Sequence, residues 1–252
     1  MAITDEIKEQ TDKFKDMTFK GKINYIWDYY KIPIIVAIVL IIGVSVLVSD
    51  IRKNSRPTYL DVVMINTNFA ADSTITLEED FIRCQNVDTE ANNIYFSYDC
   101  SFPEDYFDTT TMAYQQRLVS QYAAGEIDIM IGPVGTMITS ADCGGYSDLT
   151  KVLPRELIDE LKERGYEFFT YTGRRYTDDE KQYLDKEDLE EIENFEPYIA
   201  GIYLDNCSYL NNQGEYGAYD PTEDEDLRPI LTIPTTTQRL DHAIEFIHFV
   251  TE

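Results

Sequence analysis

From Ile32 to Ser49 the chain reads IPIIVAIVLIIGVSVLVS, eighteen residues without a charge. At about 1.5 Å per residue such a run is about 27 Å long, which predicts a helix that crosses a bilayer. Trp27, Tyr29 and Tyr30 precede it, where ring side chains settle at headgroup level. Pro33 is expected in the first turn, where its missing N–H costs nothing. A cleaved signal peptide would show a shorter apolar stretch and a small-x-small site after it, and neither is seen. Before the run, Ile3, Ile7, Phe14 and Met17 are only loosely helical in spacing, so residues 1–31 are expected to be a plain juxtamembrane tail.

After a linker over 50–57 the pattern changes to short apolar runs alternating with helical stripes. Thr58 to Asn66 and Asn93 to Cys100 have strand character, and LEEDFIRC between them is helical. In TTTMAYQQRLVSQYAAG, residues Met112, Leu118, Val119, Tyr122 and Ala123 predict one buried helical stripe, closed by Gly125 as the C′ residue. EIDIMIG follows at once as a strand, with Ile127, Ile129 and Ile131 on one face and Asp128 and Met130 on the other. A short helix near Pro154, strands at YEFFTYT, at Tyr198 to Asn206 and up to Pro234, and a closing helix through Leu240, Ala243, Ile244 and Ile247 complete the pattern. The expected fold is therefore a single transmembrane helix over 32–49 followed by a mixed-sheet α/β domain over 58–252.

Charge divides the chain at the apolar run. Residues 1–56 hold nine Lys/Arg against seven Asp/Glu, which leaves twelve against forty in 57–252, a net charge of −28 there. Such a surface repels phosphate backbones, so nucleic acid is not an expected partner. Near its two ends, five lysines (Lys13, Lys15, Lys20, Lys22, Lys31) precede the helix, against Arg52, Lys53 and Arg56 after it. This imbalance favours a cytoplasmic N-terminus and an extracellular domain. All four cysteines lie in that domain, an even number that allows three disulfide pairings or none.

Three stretches, AAGEIDIMIG, YSDLTKVLP and TIPTTTQRLDHAIEFIHFVTE, follow one another in an order that resembles bacterial extracellular solute-binding proteins of the second structural type. The resemblance implies a two-lobed fold, a small ligand held in a cleft and a bacterial cell surface. This chain departs from the family in its length and in carrying a transmembrane helix instead of a lipid-modified cysteine. Its second lobe must be small.

The usual handles for catalysis are missing. GxSxG, HExxH, GxGxxG, phosphate-loop and calcium-loop patterns do not occur, so no cofactor, metal or enzymatic activity is expected. An enzyme of another kind would need a buried carboxylate pair or a Cys–His contact. His242 and His248, six apart on the closing helix, face different ways. In α/β sheets ligands sit beyond the carboxyl ends of strands and at helix amino ends. That nominates Asn66, Thr67, Gly132, Thr235, Thr236 and Thr237 as ligand-binding residues, with the three threonines alternatively capping the last helix. Tyr146, Tyr216 and Tyr219 are loop aromatics suited to stacking on a sugar or peptide. The function expected is a membrane-anchored, solute-binding-like module that takes a small ligand or surface partner. The alternative is an accessory subunit of a membrane complex.

Overall fold

The structure is a computed structural model that describes residues 18–66, 71–100, 109–142, 145–174, 176, 183–185, 192, 194–205, 207 and 225–252. It divides into two compact units, residues 1–56 and 57–252.

Among the described residues the first unit is one helix, α1 (Phe19–Asn54). Every residue from Lys31 to Ser55 is exposed, with Ile35, Leu40, Ile41 and Leu47 all more than half accessible. The stretch Lys31–Asn54 is long and apolar enough to cross a membrane. Because α1 begins at Phe19, Pro33 lies deep inside the helix and not in its first turn, leaving the carbonyl four residues upstream without its usual donor. The helix also runs through most of the expected linker. It ends where Arg52 and Lys53 meet the negative end of the helix dipole and the Ser55 hydroxyl donates to the Ile51 carbonyl at 2.7 Å.

The second unit is built on one six-stranded mixed sheet in the order β2-β1-β3-β6-β5-β4. Its strands are β1 (Thr58–Ile65), β2 (Asn93–Cys100), β3 (Ile129–Pro133), β4 (Phe168–Tyr171), β5 (Tyr198–Tyr203) and β6 (Pro229–Thr232). β1 pairs in parallel with both β2 and β3, and the remaining pairings are antiparallel. Helix α2 (Ala71–Gln85) connects β1 to β2, and α3 (Thr109–Ala123) connects β2 to β3. The first crossover runs from β1 outward to β2 and the second returns from β2 past β1 to β3, so the order of connection reverses between β1 and β3.

The sheet is the middle of three layers. On one face lie α2, α5 (Leu149–Val152), α6 (Arg155–Glu163) and α7 (Leu240–Thr251), whose Phe81, Leu149, Leu161, Phe246 and Ile247 pack on Leu60, Val62, Ile129, Ile131 and Leu231. On the other face α3 and α4 (Val134–Asp142) cover Val63, Ile65, Met130 and Ile230. With helices on both sides β3 is buried from Ile129 to Gly132, and Ile127 packs with Met130 on the second face rather than with Ile129 and Ile131. Alternation along such a central strand reports nothing about solvent.

Helix faces are turned from their expected positions. In α3 the inward positions are Thr111, Leu118 and Tyr122, whereas Met112 and Val119 are 57% and 67% exposed. In α7 they are Ala243, Phe246, Ile247 and Val250, with Leu240 and Ile244 only half-buried at the flank. α3 does end as expected. Gly125, at φ +68°, follows the last turn, Glu126 N–H donates to the Gln121 carbonyl and Gly125 N–H to that of Tyr122. This is the six-to-one and five-to-two pair of a glycine-terminated helix. α4 was not foreseen, since its nine residues contain a glycine, two threonines and a serine that favour turns.

Candidate functional site

The six nominated residues fall at opposite ends of the sheet. β6 runs antiparallel to β3, with Met130 facing Thr232 and Gly132 facing Ile230. The chain beyond β6 therefore returns to the amino ends of β1 and β3, and Thr235, Thr236 and Thr237 lie there. Asn66 and Gly132 lie at the carboxyl ends, Asn66 being five residues and about 16 Å beyond Asp61 on β1. Thr67 lies outside the described residues.

At the amino end the threonines are spent on holding the fold. The Thr235 hydroxyl is 2.7 Å from the hydroxyl of Tyr122, and Thr236 Oγ1 donates to the Tyr122 carbonyl at 2.8 Å. Thr237 Oγ1 donates at 2.6 Å to Oδ1 of Asp128 and accepts from the Arg239 amide. The residue before α7 is Arg239, whose side chain makes no capping bond; Thr237 meets the helix amino end through the Arg239 amide, while Thr235 and Thr236 bind Tyr122 of α3.

Asp128 is the centre of this end, and it is fully buried. Its Oδ2 accepts from Arg239 Nε at 2.8 Å and from the Asp61 amide at 2.9 Å, while its own amide donates to the Asp61 carbonyl. Arg239 also reaches the Glu126 carbonyl. Asp61 is 4% exposed and its Oδ1 has no hydrogen-bond partner among the described residues. Burial, and after it the charge of Asp128, pushes the Asp61 carboxyl up to about 7. The sequence carries a signal for this pair, an aspartate set inside each of the apolar runs YLDVVMI and EIDIMIG, but periodicity alone assigns such residues to an outer face.

The carboxyl end has a different character. Asn66 adopts a left-handed conformation at φ +53°, its amide donates to the Cys100 carbonyl, and its Nδ2 donates to Thr136 Oγ1 at 3.0 Å. Gly132 brings backbone close to α4. A Cβ there would lie 3.1 Å from Met137 Sδ and 3.3 Å from Ile65 Cβ. Pro133 then leads directly into α4, whose first amide donates to the Arg228 carbonyl. Arg228 stacks 3.6 Å over the Tyr203 ring and pairs with Asp205 and with Glu167 at 2.8 Å. Thr136 and Arg228 escape a sequence reading because each is polar residue in a stretch of mixed composition, and only the fold brings them beside Asn66 and Gly132.

Of the loop tyrosines, Tyr146 is buried, bridged to Pro234 and donating to Met137 Sδ, which removes it as a stacking surface. Tyr216 and Tyr219 lie outside the described residues. Cys84, Cys100 and Cys207 carry thiols, not disulfides, and Cys207 donates to the Val250 carbonyl; Cys143 lies outside the described residues. No group of three or more His, Cys, Asp or Glu that could hold a metal occurs among the described residues. No family model matches the sequence, and neither a curated protein nor a solved structure matches it.

Proposed function

We propose that the chain is a membrane-anchored recognition module whose α/β unit takes a small ligand or a surface partner at the carboxyl ends of β1 and β3, as a reduced solute-binding-like protein would. One observation carries the reading. The strand order β2-β1-β3 reverses the direction of connection between β1 and β3, and open α/β sheets bind ligands in the crevice that such a reversal leaves. Asn66, Thr136 and Gly132 stand at that point, beside the amino end of α4. An amide, a hydroxyl and a backbone without a side chain suit a polar ligand such as a carboxylate or a sugar. The acidity of residues 57–252 disfavours polyanions. The buried Asp61–Asp128 pair suits a structural role better than catalysis, since a substrate has no access to side chains 4% and 0% exposed.

The test is a thermal-shift screen of the full chain in detergent micelles against sugars, amino acids, peptides and small anions. A saturable rise in Tm that is lost in Asn66→Ala and in Thr136→Val supports the reading. A rise that both variants keep moves the site elsewhere.

A second reading, an accessory subunit of a membrane complex, is favoured by α3. Its Met112 and Val119 turn more than half of their surface outward, on the side away from the sheet. A cooperative melt with no shift across the panel favours this alternative.

A further inference from the structure

We propose that Asp61, Asp128 and Arg239 form a proton-linked latch that fastens the segment entering α7 to the amino ends of β1 and β3. Two carboxylates, 4% and 0% exposed, lie close together, and the Arg239 guanidinium is paired with Asp128. Asp128 uses both oxygens as acceptors, receiving Thr237, Arg239 and the Asp61 amide. Asp61 has no comparable set of donors, and its Oδ1 is buried without a partner among the described residues. With both acids ionised, the cluster would carry an uncompensated negative charge out of water, which folded proteins avoid by keeping a proton on the less well-paired group. That group is Asp61.

The charged groups around Asp61 agree. Asp128 and Glu126 oppose its ionisation, whereas Arg239 and the Arg117 of α3 favour it, and burial outweighs both. On α7, His242 and Glu245 face Tyr59 instead. His242 Nδ1 lies 2.6 Å from the Tyr59 carbonyl, and the Tyr59 hydroxyl donates to Glu245 at 2.5 Å. They belong to a separate contact of the helix with β1.

Loss of the Asp61 proton sets its charge against Asp128 and draws on the same Arg239, so the bonds that hold Thr237 and Arg239 in place weaken together. Because the folded state holds this proton more tightly than the unfolded chain does, the latch is complete below about pH 4. It loosens as pH rises, and the loss levels off above about 7. One proton of difference makes each pH unit in that window worth about a tenfold change in the opening equilibrium.

The experiment is hydrogen exchange of the full chain in lipid nanodiscs between about pH 5 and 8, corrected for intrinsic rates, with wild type beside Asp61→Asn. We expect protection in peptides covering 59–63 and 235–242 to fall with pH in the wild type, by up to tenfold per unit, and to stay flat in Asp61→Asn. Parallel slopes in the two proteins overturn the latch. Should Asp61→Asn fail to fold, the infrared spectrum of wild type with labelled aspartate decides. A protonated-carboxyl band that titrates away near pH 7 supports the latch, and absence of that band at pH 5 overturns it.

Discussion

At the scale of single residues, Asp128 ties the second unit together at the amino ends of β1 and β3. It joins three pieces of chain distant in sequence: the entry to β3, the backbone of β1 at Asp61, and the segment 237–239. Removing one member of a buried ion pair leaves the other desolvated without compensation, at a cost of about 3 to 5 kcal/mol. Arg239 retains some solvent, its side chain being 21% exposed, which places the expected loss at the lower end. Asp128→Ala is therefore expected to destabilise the protein by about 3 kcal/mol, read as a lower denaturation midpoint at unchanged slope in chemical unfolding of the full chain. A loss under about 1 kcal/mol would mean that Arg239 finds water or another acid at no cost. Of this network the sequence offers only the position of the two aspartates. What it conceals is that the strand is covered on both faces, for a charge at an alternate position has the same pattern whether that face meets water or a helix.

At the scale of elements, capping chemistry was more legible than the direction of helix faces. Gly125 ends α3 as its place in the sequence indicates, and the DLTKVLP stretch is accounted for locally. Asp148 is the N-cap of α5 and accepts from the Thr150 amide at 3.0 Å, Lys151 pairs with it at 3.1 Å, Leu149 and Leu153 enter the core, and Pro154 is the N-cap of α6. A motif of this kind recurs wherever a short turn must be stopped and restarted, so physical chemistry alone explains the pattern without common ancestry. Partial burial raises the Asp148 carboxyl, but the Thr150 and Lys151 contacts outweigh it and hold the group below the ordinary carboxylate range. Its contribution is present at neutral pH and disappears as pH falls through the depressed folded value. Asp148→Ala is expected to cost about 1 kcal/mol at pH 7 and progressively less in acid, checked by comparing urea midpoints of the two proteins across the acid range. A deficit independent of pH would assign the effect to lost packing. Helix faces were misplaced by about one position in α3 because Met112 and Val119 are as apolar as the residues that do turn inward. Apolarity marks a surface that could be buried, and the sheet decides which one is.

At the scale of the whole molecule, the division into an apolar helix and an α/β unit was readable because it rests on long-range composition. Eighteen uncharged residues and a one-sided excess of acids both survive any error in local assignment. Strand order was not readable. It depends on which edges pair, and the reversal between β1 and β3 that distinguishes the two ends of the sheet leaves no local trace. For that reason the nominated residues are divided in space, with Asn66 and Gly132 at one end and the three threonines at the other. Orientation across a membrane is a further property of the whole chain, and the excess of lysines before the apolar run predicts the α/β unit outside. Cys84 provides an internal probe of it, being an exposed thiol at the end of α2, whereas Cys100 and Cys207 are buried. A membrane-impermeant maleimide added to intact cells should label the wild type, and Cys84→Ser should lower that labelling. If the Cys84 signal appears only after permeabilisation, the α/β unit faces the cytoplasm, and ligands or partners for the carboxyl end of the sheet must be sought there.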